Sequence, residues 1–120
     1  MSLPSAQHEI LDSNLFDDYK ELLDNKFSEG LRRFLVDLDD LMGKVQSGFE
    51  QGDTGVIHEA VHCLKSSSAL VGALPLSKLS HKTETQIKCG VSPSQNDIDT
   101  LNTAAADLRN RLWEELQNAG

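Results

Sequence analysis

Aromatic residues are scarce in this chain, with one Trp, one Tyr and four Phe among 120 residues. Runs of β-branched residues are few as well, whereas Leu and Ala are frequent, a balance that disfavours sheets and favours helices. Only two cysteines occur, Cys63 and Cys89, and they form no CxxC pair. Both are expected to be reduced thiols, in a domain that needs no disulfide staple. No apolar run approaches the ~20 residues of a membrane span. The first residues lack the basic stretch and apolar core of a signal peptide, so a cytoplasmic protein without a membrane partner is expected. Basic residues are also in short supply, 11 against 19 acidic ones for a net charge of -8, which sets the surface against the phosphates of a nucleic acid. A glycine-rich phosphate loop, a Walker lysine and an acidic metal pair of the kinase type are all missing, so the chain is not expected to bind or hydrolyse ATP by itself.

What is present is a series of apolar stripes at helical spacing. A length of 120 residues with 38% hydrophobic content suits one domain with one modest core, spanning 1–120, with 1–12 expected to be a flexible N-terminal segment. Leu15, Phe16, Tyr19, Leu22 and Leu23 mark a short first helix, capped by Asp12, Ser13 or Asn14 and ending near Asn25. From Phe27 the stripe continues through Leu31, Phe34, Leu35, Leu38, Leu41, Met42, Val45 and Phe49 until Gly52-Asp53 breaks it. A third helix is predicted from Thr54 to about Leu70, with Gly72 as its stop. Pro75 suits the first turn of a fourth, less apolar helix holding Leu76, Leu79, Thr83 and Ile87 and ending at Gly90. Ser92-Pro93-Ser94 then opens a last helix striped by Ile98, Leu101, Ala105, Leu108, Leu112 and Leu116. Four long amphipathic helices with short connections pack most simply as an all-α, antiparallel up-and-down four-helix bundle, with the short additional N-terminal helix covering one end.

The third helix holds the run that carries chemistry, from Glu59 to Ala73. At roughly 100° per residue, Ile57, Val61, Leu64 and Ser68 share one face, while His58, His62, Lys65 and Ala69 share another about a third of a turn away. The second face offers an imidazole, a lysine one turn on and small residues that let a partner approach closely.

His62, Leu64, Lys65, Ser67, Ser68, Gly72 and Ala73 match in register the signature of the histidine-containing phosphotransfer (HPt) family, and Leu76 and Glu84 match its continuation into the next helix. The chain resembles that family over nearly its whole predicted helix layout. It departs at Ser66, where glycine is usual, at Ser80, where cysteine is frequent, and at Thr83, where leucine is frequent. The resemblance implies that His62 accepts a phosphoryl group from a receiver-domain phosphoaspartate and passes it to another receiver, with Lys65 neutralising charge on the phosphoryl oxygens. It implies a phosphocarrier without kinase activity, no cofactor of its own, and Mg²⁺ supplied by the partner receiver. Partners would be response-regulator receiver domains and a hybrid sensor histidine kinase. A neutral imidazole suits the role, since its ordinary pKa of about 6.5 leaves one ring nitrogen with a free lone pair near neutrality. His58, Ser66, Ala69 and Leu70 are the candidate partner-binding positions, on a monomer that docks through a transient interface at the small end of the usual range.

Two rivals share these residues. His58-Glu59-Ala60-Val61-His62 is a literal HExxH, the zinc and general-base motif of metalloproteases, with Glu84 downstream as a third ligand. Against it, the sequence shows no convincing strand to hold a peptide, no second lobe and no extended metzincin pattern. A binding-only bundle is the other rival, and a His62→Gln substitution separates it, because such a module would keep its activity. His81 and His8 read as surface residues, and Cys63 as a packing residue.

Overall fold

The computed structural model describes residues 10–119. Helix α1 covers Ser13–Leu23 and runs into a single 3₁₀ turn over Asp24–Lys26; α2 covers Phe27–Gln51, α3 Thr54–Val71, α4 Leu74–Lys88 and α5 Gln95–Ala119. No strand occurs among the described residues. The bundle is the one expected from the stripes: α2 packs on α3 and α5, and α4 packs on α3 and α5, so α3 and α5 lie diagonally across the core.

Local chemistry sets each boundary. The Asp12 carboxylate accepts from the Leu15 amide at 3.0 Å and so caps α1. The α-helical part of α1 stops two residues before the expected Asn25, because Asp24 turns into positive φ (51°). Gly52 closes α2 in the left-handed conformation, and the next residue, Asp53, caps α3 through a 3.2 Å bond from the Val56 amide. Pro75 occupies the first turn of α4, where its missing N–H costs nothing. α5 opens on a reciprocal cap, with Ser94 Oγ accepting from the Asp97 amide at 3.1 Å and Asp97 Oδ2 accepting from the Ser94 amide at 2.8 Å.

The stripes meet in one core. Leu31, Leu38 and Val45 of α2 face Ile57, Val61 and Leu64 of α3, Leu76 of α4, and Ile98, Leu101, Leu108 and Leu112 of α5, each almost wholly buried. Each such side chain contributes about 1.5–3 kcal/mol on leaving water, so the core and not helix propensity holds the helices together. α4 is the exception in composition, since Ser80, Thr83 and Glu84 are buried on its inward side.

α1 closes one end of the bundle. Phe16 and Tyr19 pack against Phe27, with ring centroids 5.8 and 6.4 Å apart and edge-to-face geometry. The Asp12 amide donates to the Gly72 carbonyl at 2.8 Å, which pins the chain before α1 to the end of α3. The expectation of a flexible segment over 1–12 is therefore corrected at its last residues: Leu11 is buried in the core and Asp12 is held by its backbone. Residues 1–9 of that segment lie outside the described residues.

Candidate functional site

The periodicity of α3 separates its faces as its sequence requires. Ile57, Val61, Leu64 and Ser68 are buried in the core, whereas His62 is exposed and His58, Lys65 and Ala69 are half-buried beside it. α4 runs back along α3, and Ser77 Oγ donates to the Lys65 carbonyl at 2.8 Å, fixing the two helices at that level. The register brings Glu84 of α4 directly against the exposed face of α3.

Glu84 organises the site. Its side chain is only 2% exposed, and an ionised carboxylate survives such burial only when it is paired and hydrogen-bonded. Lys65 Nζ donates to Oε1 at 2.6 Å and His62 Nδ1 donates to Oε2 at 2.5 Å. Lys88 Nζ, His58 Nε2 and His81 Nδ1 stand further out, at 3.8, 3.9 and 3.9 Å from the carboxylate. The hydrogen bonds from Lys65 and then His62 outweigh the penalty of burial and, with the charges of Lys65 and Lys88, hold the Glu84 carboxyl at about 2, well below its ordinary 4.5.

An ionised carboxylate can only accept, so the proton in its bond to His62 sits on Nδ1. In the neutral ring this leaves the lone pair on Nε2. The imidazole, 60% exposed, is thus anchored on its inner nitrogen and open on its outer one. Chemically this is an imidazole of fixed tautomer beside a lysine ammonium, an arrangement able to act as a nucleophile, and among the described residues no second acid or base pairs with the ring.

The predicted site residues divide by element. His58, His62, Lys65, Ser66, Ala69 and Leu70 all lie on α3, and the His58 and His62 rings stack nearly parallel with centroids 6.4 Å apart. Ser66 is exposed one turn beyond His62, and Leu70 is 61% exposed, a large apolar side chain in water near the α1 end. Three contributions were not anticipated from the sequence. Glu84 had been expected only as a family match or a zinc ligand, not as the partner of both His62 and Lys65. His81 and Lys88 also reach the site; their spacing to Glu84, three and four residues, is the signal that could have found them. Cys63 is exposed, not packed, since one step past His62 carries it round to the other flank of α3, still turned away from the core. Glu59 is exposed and makes no hydrogen bond to either imidazole, and among the described residues no three His, Cys, Asp or Glu side chains are arranged to hold a metal ion. The zinc-protease reading gains no support from this geometry.

The family model of the Hpt domain matches residues 29–117, about three quarters of the chain. The chain belongs to the Hpt domain family. It is therefore a histidine phosphotransfer module of phosphorelay signalling. Its fold matches the crystal structure of histidine-containing phosphotransfer protein B from Pseudomonas aeruginosa PAO1 with a TM-score of 0.85 at 19% identity, over 91% of this chain and 96% of that one. At that identity the likeness speaks for the fold alone. No curated protein matches the chain. Among the described residues no helix is long and apolar enough to cross a membrane.

Proposed function

We propose that this Hpt domain accepts a phosphoryl group on Nε2 of His62 from the phosphoaspartate of one receiver domain and delivers it to the aspartate of another. The observation that supports the site is the His62–Glu84 bond, which engages Nδ1 and leaves Nε2 as the outer nitrogen, the one that carries the lone pair in the neutral ring. In the forward step the Nε2 lone pair forms the N–P bond in line as the aspartyl O–P bond breaks, and the carboxylate leaves. The reverse step returns the group to a second carboxylate. Lys65 lies beside the ring and contributes positive charge toward the phosphoryl oxygens while holding Glu84.

The protein in this reading is a carrier and not a kinase. A hybrid sensor histidine kinase stands upstream, Mg²⁺ arrives with the receiver, and the domain docks as a monomer through His58, Ser66, Ala69 and Leu70. With Nδ1 engaged by Glu84, the neutral ring carries its lone pair on the outer Nε2, and the reading gives the nucleophile no metal of its own. A cytoplasmic location follows from the partners.

The test is phosphoryl transfer from prephosphorylated receiver domains with Mg²⁺ to the wild type, His62→Gln and His58→Gln. Acid-labile label on the wild type and on His58→Gln, but not on His62→Gln, is the expected result. Label that survives in His62→Gln overturns the site, and full signalling activity by His62→Gln overturns transfer in favour of a binding-only module.

A further inference from the structure

Charge is divided unevenly over this acidic chain. The α3–α4 hairpin, residues 54–88, holds four lysines against Glu59 and Glu84, a net charge of +2, so the rest of the chain must carry -10 to reach the overall -8. Three of the four histidines are in the same hairpin. Within it, Lys65 and Lys88 are turned toward Glu84. Lys78 and Lys82 are not: both are exposed on α4, and neither has an ion pair among the described residues.

These two lysines differ from every other cation described. Lys20, Lys26, Arg32, Arg33, Lys44 and Arg111 each have an acid three or four residues away, and Arg109 binds Asp39 across the α2–α5 seam. Lys78 and Lys82 have no acid at either spacing and stand one turn from each other, so their charges repel unless something else compensates them. Their height on the bundle is that of the site, because Lys78 follows Ser77, which bonds the Lys65 carbonyl, and Lys82 follows His81, which reaches Glu84. On the far side the basic face ends at a groove where Leu79 meets Asp99 and Asp107 of α5.

We propose that Lys78 and Lys82 form an electrostatic docking face that steers the acidic, Mg²⁺-binding pocket of a receiver domain onto His62. The inference rests on the phosphotransfer reading above and names the chemistry of its partner. A pocket that binds Mg²⁺ must present carboxylates, and one that carries a phosphoaspartate adds further negative charge. The acidic remainder of this chain repels such a pocket, so the basic hairpin both attracts it and orients it. Fixed charges at the rim act mainly on the rate of encounter and lose their reach as salt shortens the screening length to about 10 Å and below.

The experiment measures association rates of a panel of receiver domains with the full chain by stopped-flow fluorescence, at roughly 0.02 M and roughly 0.5 M salt. The variants are Lys78→Glu/Lys82→Glu and, as the control, Lys26→Glu/Arg32→Glu, which makes the same charge change off the hairpin. Expected is an association rate at least about tenfold lower for the first variant at low salt, converging to within about twofold at high salt, with the control much less affected. Equal slowing by both variants, no slowing, or no binding of the wild type by any receiver overturns the proposal. Lysine-dependent binding without phosphate on His62 leaves it standing and refutes the phosphotransfer reading; transfer to His62 that ignores Lys78 and Lys82 does the reverse.

Discussion

His62 and Lys65 share one buried carboxylate: Glu84 accepts from the imidazole Nδ1 through one oxygen and from the ammonium through the other, at 2.5 and 2.6 Å. The imidazole and its neighbouring cation are thereby fixed relative to each other by a residue on a different helix. Removing Glu84 frees both at once. In Glu84→Ala the His62 proton is expected to distribute over both nitrogens, visible as averaged ¹⁵N shifts of the ring, and Lys65 to lose its anchor. A hydrogen bond to a charged group contributes about 1.5–3 kcal/mol, so transfer to His62 should slow by on the order of 10- to 100-fold. Unchanged transfer with a mixed tautomer would show that orientation of the ring does not limit the rate.

The same carboxylate sets an acid limit on stability. Its pKa is lowered on folding, from 4.5 to about 2, so the ionised form favours the folded state. That contribution is complete above about pH 4.5 and is lost as pH falls through about 2. Urea unfolding of the wild type and of Glu84→Gln should therefore give a stability difference that shrinks as pH falls from about 4.5 toward about 2. A difference that stays flat to pH 2 would mean that Glu84 is not ionised in the fold.

Gly72 makes a prediction of a different kind, because it combines a left-handed backbone with a tight contact. Its φ is 88°, and a Cβ there would lie 3.0 Å from the Asp12 carbonyl oxygen and 3.1 Å from Leu15 Cβ. Gly72→Ala must therefore strain the turn and push α1 off the end of the bundle. A loss of roughly 1–3 kcal/mol is expected, with faster hydrogen exchange at the Asp12 amide, which donates to the Gly72 carbonyl. Loss of stability without faster exchange at Asp12 would locate the strain elsewhere.

Helix layout was legible in the sequence because each element carries its own stop and start: the Gly52-Asp53 break, Pro75, and the Ser94–Asp97 cap act within a few residues of the boundary they set. His62 and Lys65 were legible for the same reason, as neighbours on one helical face. The role of Glu84 was not. It depends on the register between α3 and α4, fixed by packing and by the Ser77–Lys65 contact, and no local pattern encodes a pairing across 22 residues. The α-helical part of α1 stops at Leu23, two residues short of Asn25, because Asp24 takes a positive φ that no glycine signals in the sequence. Cys63 was misjudged because residue type favours burial while its helical position points outward.

Ser80, which stands where the family often has cysteine, is fully buried on α4, and its hydroxyl has no hydrogen-bond partner among the described residues. A hydroxyl taken out of water without a partner costs about 1–3 kcal/mol, whereas the methyl group of alanine costs nothing comparable and leaves a void of only one oxygen atom. The two terms oppose each other, and the desolvation term is the larger because a void this small forfeits only a few contacts. Ser80→Ala is therefore expected to raise stability by about 0.5–1.5 kcal/mol in urea unfolding with an unchanged m-value. Thr83, buried beside it, is the internal control. Its Oγ1 donates to the Leu79 carbonyl at 3.0 Å, so Thr83→Val, which keeps the shape and removes the bond, should gain less than Ser80→Ala or lose stability outright. If both substitutions cost stability alike, the Ser80 hydroxyl has a partner after all, and the polar inward face of α4 is satisfied throughout.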